Sequence, residues 1–95
     1  MEIRRYEIKI TGIVQGVGFR PFIYSLAKSL CLCGWIRNSG SSVTIEAEGE
    51  NGVLETFLSR LKGEAPSLSY MKEIKVSGKP VVGYADFSII ESAAA

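Results

Sequence analysis

A chain of 95 residues suffices for one domain with its own core, and 46% hydrophobic against 22% charged residues excludes a disordered polymer. No apolar run approaches the ~20 residues that cross a bilayer, and the polar residues that follow Met1 rule out an obvious signal peptide, so the expected compartment is the cytoplasm. A net charge of +1 gives no electrostatic footprint for nucleic acid.

Along the chain, Tyr6, Ile8 and Ile10 alternate with Glu7, Lys9 and Thr11, the period of a half-buried strand. The stretch 12–21 follows, Gly-Ile-Val-Gln-Gly-Val-Gly-Phe-Arg-Pro. Gly16 and Gly18 permit a tight loop, and Pro21 suits the first turn of a helix that starts there. Phe22, Ile23, Leu26, Ala27 and Leu30 then recur at helical spacing, and the helix is predicted to fade over 31–33 and stop at Gly34.

Residues 35–38 read as a short strand and 39–42 as a turn. Val43, Ile45 and Ala47 then alternate with Thr44, Glu46 and Glu48, completing a hairpin. Asn51 is the predicted cap of a second helix whose apolar stripe is Val53, Leu54, Phe57, Leu58 and Leu61. After a loop at 63–69, Tyr70, Ile74 and Val76 suggest a strand, 77–83 a turn or loop, and Phe87 with Ile89 a last strand.

The order β-α-β-β-α-β, with a further short strand at the C-terminus and two one-sided helices, predicts an α+β fold. It is a ferredoxin-like sandwich: an antiparallel sheet with both helices on one face, a single domain over 1–95. Residues 92–95 carry no pattern and are expected to be a disordered tail.

The loop at 12–21 carries the chemistry. It directs backbone N–H groups and the positive end of a helix into one small volume with Arg20 at its rim, which describes an anion site suited to phosphate. It is not a dinucleotide fingerprint, because Pro21 stands where a third glycine is needed, nor a Walker A loop, which needs Gly-Lys before Ser or Thr. The aromatic motif of an RNA-recognition module belongs on a central strand, whereas Phe19 and Phe22 lead into a helix. The chain has no histidine, which excludes Ser-His-Asp and Cys-His mechanisms. Cys31 and Cys33 stand alone. A disulfide across two residues would be strained and no further pair completes a zinc site, so they read as packing at a helix end, and no metal is expected.

Val14-Gln15-Gly16-Val17-Gly18-Phe19-Arg20, followed by Gly34-Trp35-Ile36-Arg37-Asn38 and a hairpin, resembles the signature of the acylphosphatases. That resemblance implies hydrolysis of carboxyl–phosphate anhydrides with no metal or cofactor. It also implies Arg20 and Asn38 as the catalytic pair. The continuation Pro21-Phe22-Ile23-Tyr24-Ser25-Leu26-Ala27 is similar to the acylphosphatase-like domain that opens the hydrogenase-maturation carbamoyltransferases. It implies carbamoyl phosphate as substrate, and the remaining domains of a larger maturation protein as partners.

On chemical grounds Arg20 can grip two phosphate oxygens with its planar guanidinium, and the amides of Gln15, Gly16, Val17, Gly18, Phe19 and Arg20 would complete a phosphate cradle. Asn38 has no useful pKa but can orient a water. Arg37 reads as structural, Gln15 as a brace of the loop, and the rings of Trp35 and Phe19 as packing. A module that binds phosphate or a partner without turnover is the alternative. Neither nucleic acid nor membrane is an expected partner.

Overall fold

A computed structural model describes residues 2–14 and 17–90. The elements are β1 (Ile3–Ile13), α1 (Phe19–Ser29), β2 (Cys33–Ser39), β3 (Ser42–Glu50), α2 (Asn51–Glu64), β4 (Tyr70–Lys79) and β5 (Phe87–Ile89). They form one sheet in the order β4-β1-β3-β2-β5. All neighbours are antiparallel except β2 and β5, which run parallel. Both helices cover one face, so the ferredoxin-like architecture predicted from the alternation of periods is the one adopted.

The core follows from those periods. Ile8 and Ile10 of β1 face Ile45 and Val43 of β3 in register, and all four are fully buried. Ile23, Leu26 and Ala27 of α1 and Leu54, Phe57 and Leu61 of α2 close over them. Both helices therefore owe their place to a single apolar stripe rather than to intrinsic propensity. No helix among the described residues is long and apolar enough to cross a membrane.

Strand β2 is longer than the expected 35–38 and α2 runs to Glu64, into the expected loop; four further differences each have a physical reason. First, α1 starts at Phe19 rather than Pro21, because Gly18 takes the left-handed conformation (φ 80°) at the cap position and Pro21 falls third in the helix. Second, α1 ends at Ser29 and the left-handed residue beyond it is Cys31 (φ 57°), not Gly34. Gly34 lies inside β2 at φ 138°, where a Cβ would sit 1.9 Å from the carbonyl oxygen of Glu46, so close strand approach is what requires glycine there. Third, Asn51 is the first residue of α2 with Glu50 at the cap. Its Oδ1 accepts the Tyr6 hydroxyl at 3.2 Å instead of a helix amide. Fourth, β4 runs on to Lys79, because Ser77, Gly78 and Lys79 continue the ladder against Glu7, Tyr6 and Arg5.

The face away from the helices is also closed along part of its length. Thr44, Glu46 and Glu48 point outward from β3 yet are buried. Residues 80–86 cross above them as a strap. Glu48 accepts the amides of Val82, Gly83 and Tyr84, the last at 2.8 Å. Arg5 pairs with Glu46 and donates to the carbonyl of Pro80 at 2.8 Å. Beyond the strap the chain enters β5, where Phe87 is buried against Tyr24 with ring centroids 6.3 Å apart. The predicted tail at 92–95 lies outside the described residues.

Candidate active site

Register places three chain ends at one edge of the sheet. Thr11 near the end of β1 pairs with Ser42 at the start of β3, and Ser42 pairs with Ser39 at the end of β2. Since β1 and β2 both run antiparallel to β3, they point the same way, and α1, which connects them, returns in the opposite sense. The N-terminus of α1 therefore stands over the same edge at which β2 ends.

The mouth of that helix is open. The first intrahelical bond runs from the Phe22 amide to the Gly18 carbonyl at 3.1 Å. The amides of Phe19 and Arg20 thus have no helical acceptor, and Pro21 has no N–H to offer. Gly18 has no side chain to cap the helix and no acidic residue lies in its first turn, while Lys28 occupies the last. The positive end of the helix dipole is left uncompensated at the loop and the negative end is matched. Phe19 is buried and Val17 packs against the core, so the loop is anchored from beneath on both sides of Gly18. Arg20 is half-buried, and no carboxylate among the described residues pairs with it. Gln15 and Gly16, the other two members of the expected cradle, lie outside the described residues.

Asn38 lies opposite Val43, which in turn lies opposite Ile10. Directly opposed residues share a face of the sheet, so Asn38 continues the core row Ile10, Val43 at the edge beneath the α1 mouth. It is half-buried, yet its Oδ1 is fully shielded and has no hydrogen-bond partner among the described residues. A shielded amide oxygen left unpaired costs about 1–3 kcal/mol. In a fold that pairs its buried polar groups so consistently, such an oxygen marks a place where an O–H or N–H from outside the chain fits.

The neighbours of Asn38 on β2 face the other way. Arg37 lies over the Trp35 ring at 5.2 Å, and the Trp35 Nε1 donates to the Tyr84 hydroxyl at 3.2 Å. Both are engaged on the strap side of the sheet, away from the loop. Sequence reading counted the amides of Phe19 and Arg20 in the cradle but missed that the helix already starts at Phe19. The signal was Gly18, three residues ahead of the proline that was given the role of helix start.

The sequence model of the acylphosphatase family matches residues 6–89. The acylphosphatase of Methanospirillum hungatei JF-1 is 35% identical over 88 residues, which make up 92% of this chain and 97% of that protein. The carbamoyltransferase HypF2 of Cupriavidus necator is 46% identical over 89 residues, 93% of this chain but 11% of that longer protein. Among solved structures, full-length HypF in its phosphate- and nucleotide-bound form superposes with a TM-score of 0.93 at 44% identity, over 96% of this chain and 12% of that one. The Bacillus subtilis acylphosphatase superposes with a TM-score of 0.86 at 34% identity, over 94% and 99%.

Proposed function

The chain belongs to the acylphosphatase family, and from that premise we propose that Arg20 and Asn38 hydrolyse the mixed anhydride between a carboxylic acid and phosphate. The observation that carries the reading is the pairing, at one sheet edge, of an open helix mouth beside Arg20 with an unpaired amide oxygen on Asn38.

An acyl phosphate already carries a good leaving group, so the protein has little proton transfer to perform. The phosphoryl oxygens bind the free amides of Phe19 and Arg20, the rest of the 15–20 loop and the Arg20 guanidinium. All of these are aimed before reaction and gain strength as charge shifts onto those oxygens. Asn38 Oδ1 accepts one O–H of a water and so fixes its lone pair toward phosphorus. Water adds to phosphorus, the bond from phosphorus to the acyl oxygen breaks, and the carboxylate departs with the bonding pair. The water proton passes to a phosphate oxygen of the substrate itself. No step requires a residue that titrates near neutrality, in keeping with a chain that has no histidine.

The similarity to HypF supports carbamoyl phosphate as the substrate, with carbamate passed on to other domains of a longer maturation protein. The test is phosphate release from carbamoyl phosphate and acetyl phosphate by the wild type and by Arg20→Ala. We expect turnover in the wild type and a loss of about 10³-fold in the variant, with phosphate binding lost in parallel. A folded wild type that binds phosphate but turns over neither substrate would make the domain a binding module instead.

A further inference from the structure

Cys31 and Cys33 lie at the other end of the sheet, and neither is in a disulfide. Cys31 is exposed and Cys33 half-exposed, while Leu32 between them is buried in the core at 2% exposure. Cys31 stands in the turn ahead of β2 with a left-handed backbone (φ 57°), and Cys33 opens that strand. They border one cavity of about 280 Å³, walled by Ile3, Val81, Gly83 and Tyr84 with Glu48 and Gly49 at its floor.

The chemistry of that cavity is narrow. Among the described residues Glu48 is the only carboxylate on its wall, and its oxygens already accept the amides of Val82, Gly83 and Tyr84. The chain has no histidine, and among the described residues no three metal-ligating side chains gather. Two sulfurs on a largely apolar wall exclude ions that demand four donors or oxygen ligands. They suit a soft ion content with two thiolates.

We propose that Cys31 and Cys33 form a two-thiolate site for a soft monovalent d10 cation, of the Cu(I) or Ag(I) type, remote from the anion loop. Each thiol gives up its proton to solvent and a sulfur–metal bond replaces each S–H bond. One cation therefore binds with release of two protons and no change of oxidation state. The site is independent of the hydrolytic reading. Cys33 pairs with Glu48 while Asn38 pairs with Val43, five residues farther along β2 and so about 17 Å away at strand spacing.

Silver(I) nitrate in chloride-free buffer is the probe, because it needs no reductant. Titration of the intact protein should show one ion per chain, approach two protons released per ion, and leave both thiols unreactive toward a thiol reagent. Cys31→Ser and Cys33→Ser should each weaken binding by about 10²-fold, since one thiolate loses the second, pre-placed ligand. Acyl phosphate turnover of the unloaded variants should stay at the wild-type rate. Equal affinity in the wild type and Cys31→Ser would overturn the site, as would one ion bridging two chains. Cys31 is exposed, so that variant decides the matter even if Cys33→Ser fails to fold.

Discussion

Asn38 sits where a β-strand would ordinarily end in a turn residue, and its Oδ1 accepts from nothing among the described residues. Its neighbours behave otherwise: the Ser39 and Thr44 hydroxyls approach at 3.4 Å, and the Ser42 hydroxyl donates to the Ser39 carbonyl at 2.9 Å. Replacing Asn38 by Ala removes an unsatisfied group, so stability should hold or rise slightly while turnover falls by about 10²-fold or more. Phosphate affinity should be nearly unchanged, because the loop and Arg20 remain. Steady-state kinetics and competitive inhibition by phosphate check this together. A variant that loses phosphate affinity in step with turnover would move Asn38 from the water to the anion. Arg20 and Asn38 could be named as candidates from the sequence because the motifs quote them. The unpaired oxygen was not legible there, since nothing in a sequence says which polar atoms the fold leaves over.

At the scale of elements, the strap is the part that sequence reading described least well. Residues 77–83 read as loop because Ser77, Gly78, Pro80 and Gly83 break every side-chain period. In the structure the first of these extend β4 through backbone pairing, and the rest are held by a carboxylate on a different strand. Thr44, Glu46 and Glu48 looked like a solvent-facing row for the same reason. A cover that binds through its backbone leaves no pattern in its own side chains. Burial works against ionising Glu48, but the three strap amides, aided by Arg5, outweigh it and hold its pKa below the ordinary carboxylate value. The sign follows. A lowered folded pKa stabilises the protein above the unfolded value of about 4.3, and that contribution disappears as pH falls through the folded value. Glu48→Gln should therefore lower stability at neutral pH by about 2–3 kcal/mol and flatten the acid limb of the unfolding midpoint below the ordinary carboxylate range. Urea titrations at several pH values measure both. An acid limb as steep as that of the wild type would assign the pH dependence to other carboxylates, such as Asp86 beside Lys28.

For the molecule as a whole, the element order and the one-sided helices were readable because strand and helix periods are distinct and each apolar stripe has a single face to cover. The strand order was reachable only through the fold class, since pairings such as Arg5 with Lys79 span most of the chain. The short β5 carries more weight than its three residues suggest. The Gly34 amide donates to Asp86 and the Ile90 amide to Ile36, so the strand bearing Asn38 has its outer edge closed by residues 86–90. Phe87, buried at 1% exposure, fixes that edge against α1. Phe87→Ala should cost about 3–5 kcal/mol, read by chemical denaturation. A loss below about 1 kcal/mol would mean that β2 holds its place without β5.

The position of β1 between β3 and β4 also bears on how the domain is made. The strand synthesised first can zip one side onto β3 as soon as the hairpin has left the ribosome. Its other side stays an open backbone edge until residues 70–79 emerge, and β2 waits longer still for 87–90. Throughout that interval the nascent chain exposes a ladder rich in isoleucine, the kind of edge that recruits strands from neighbouring chains. A translational pause ahead of residue 70 would lengthen that exposure, whereas one placed after residue 90 would let the sheet close first.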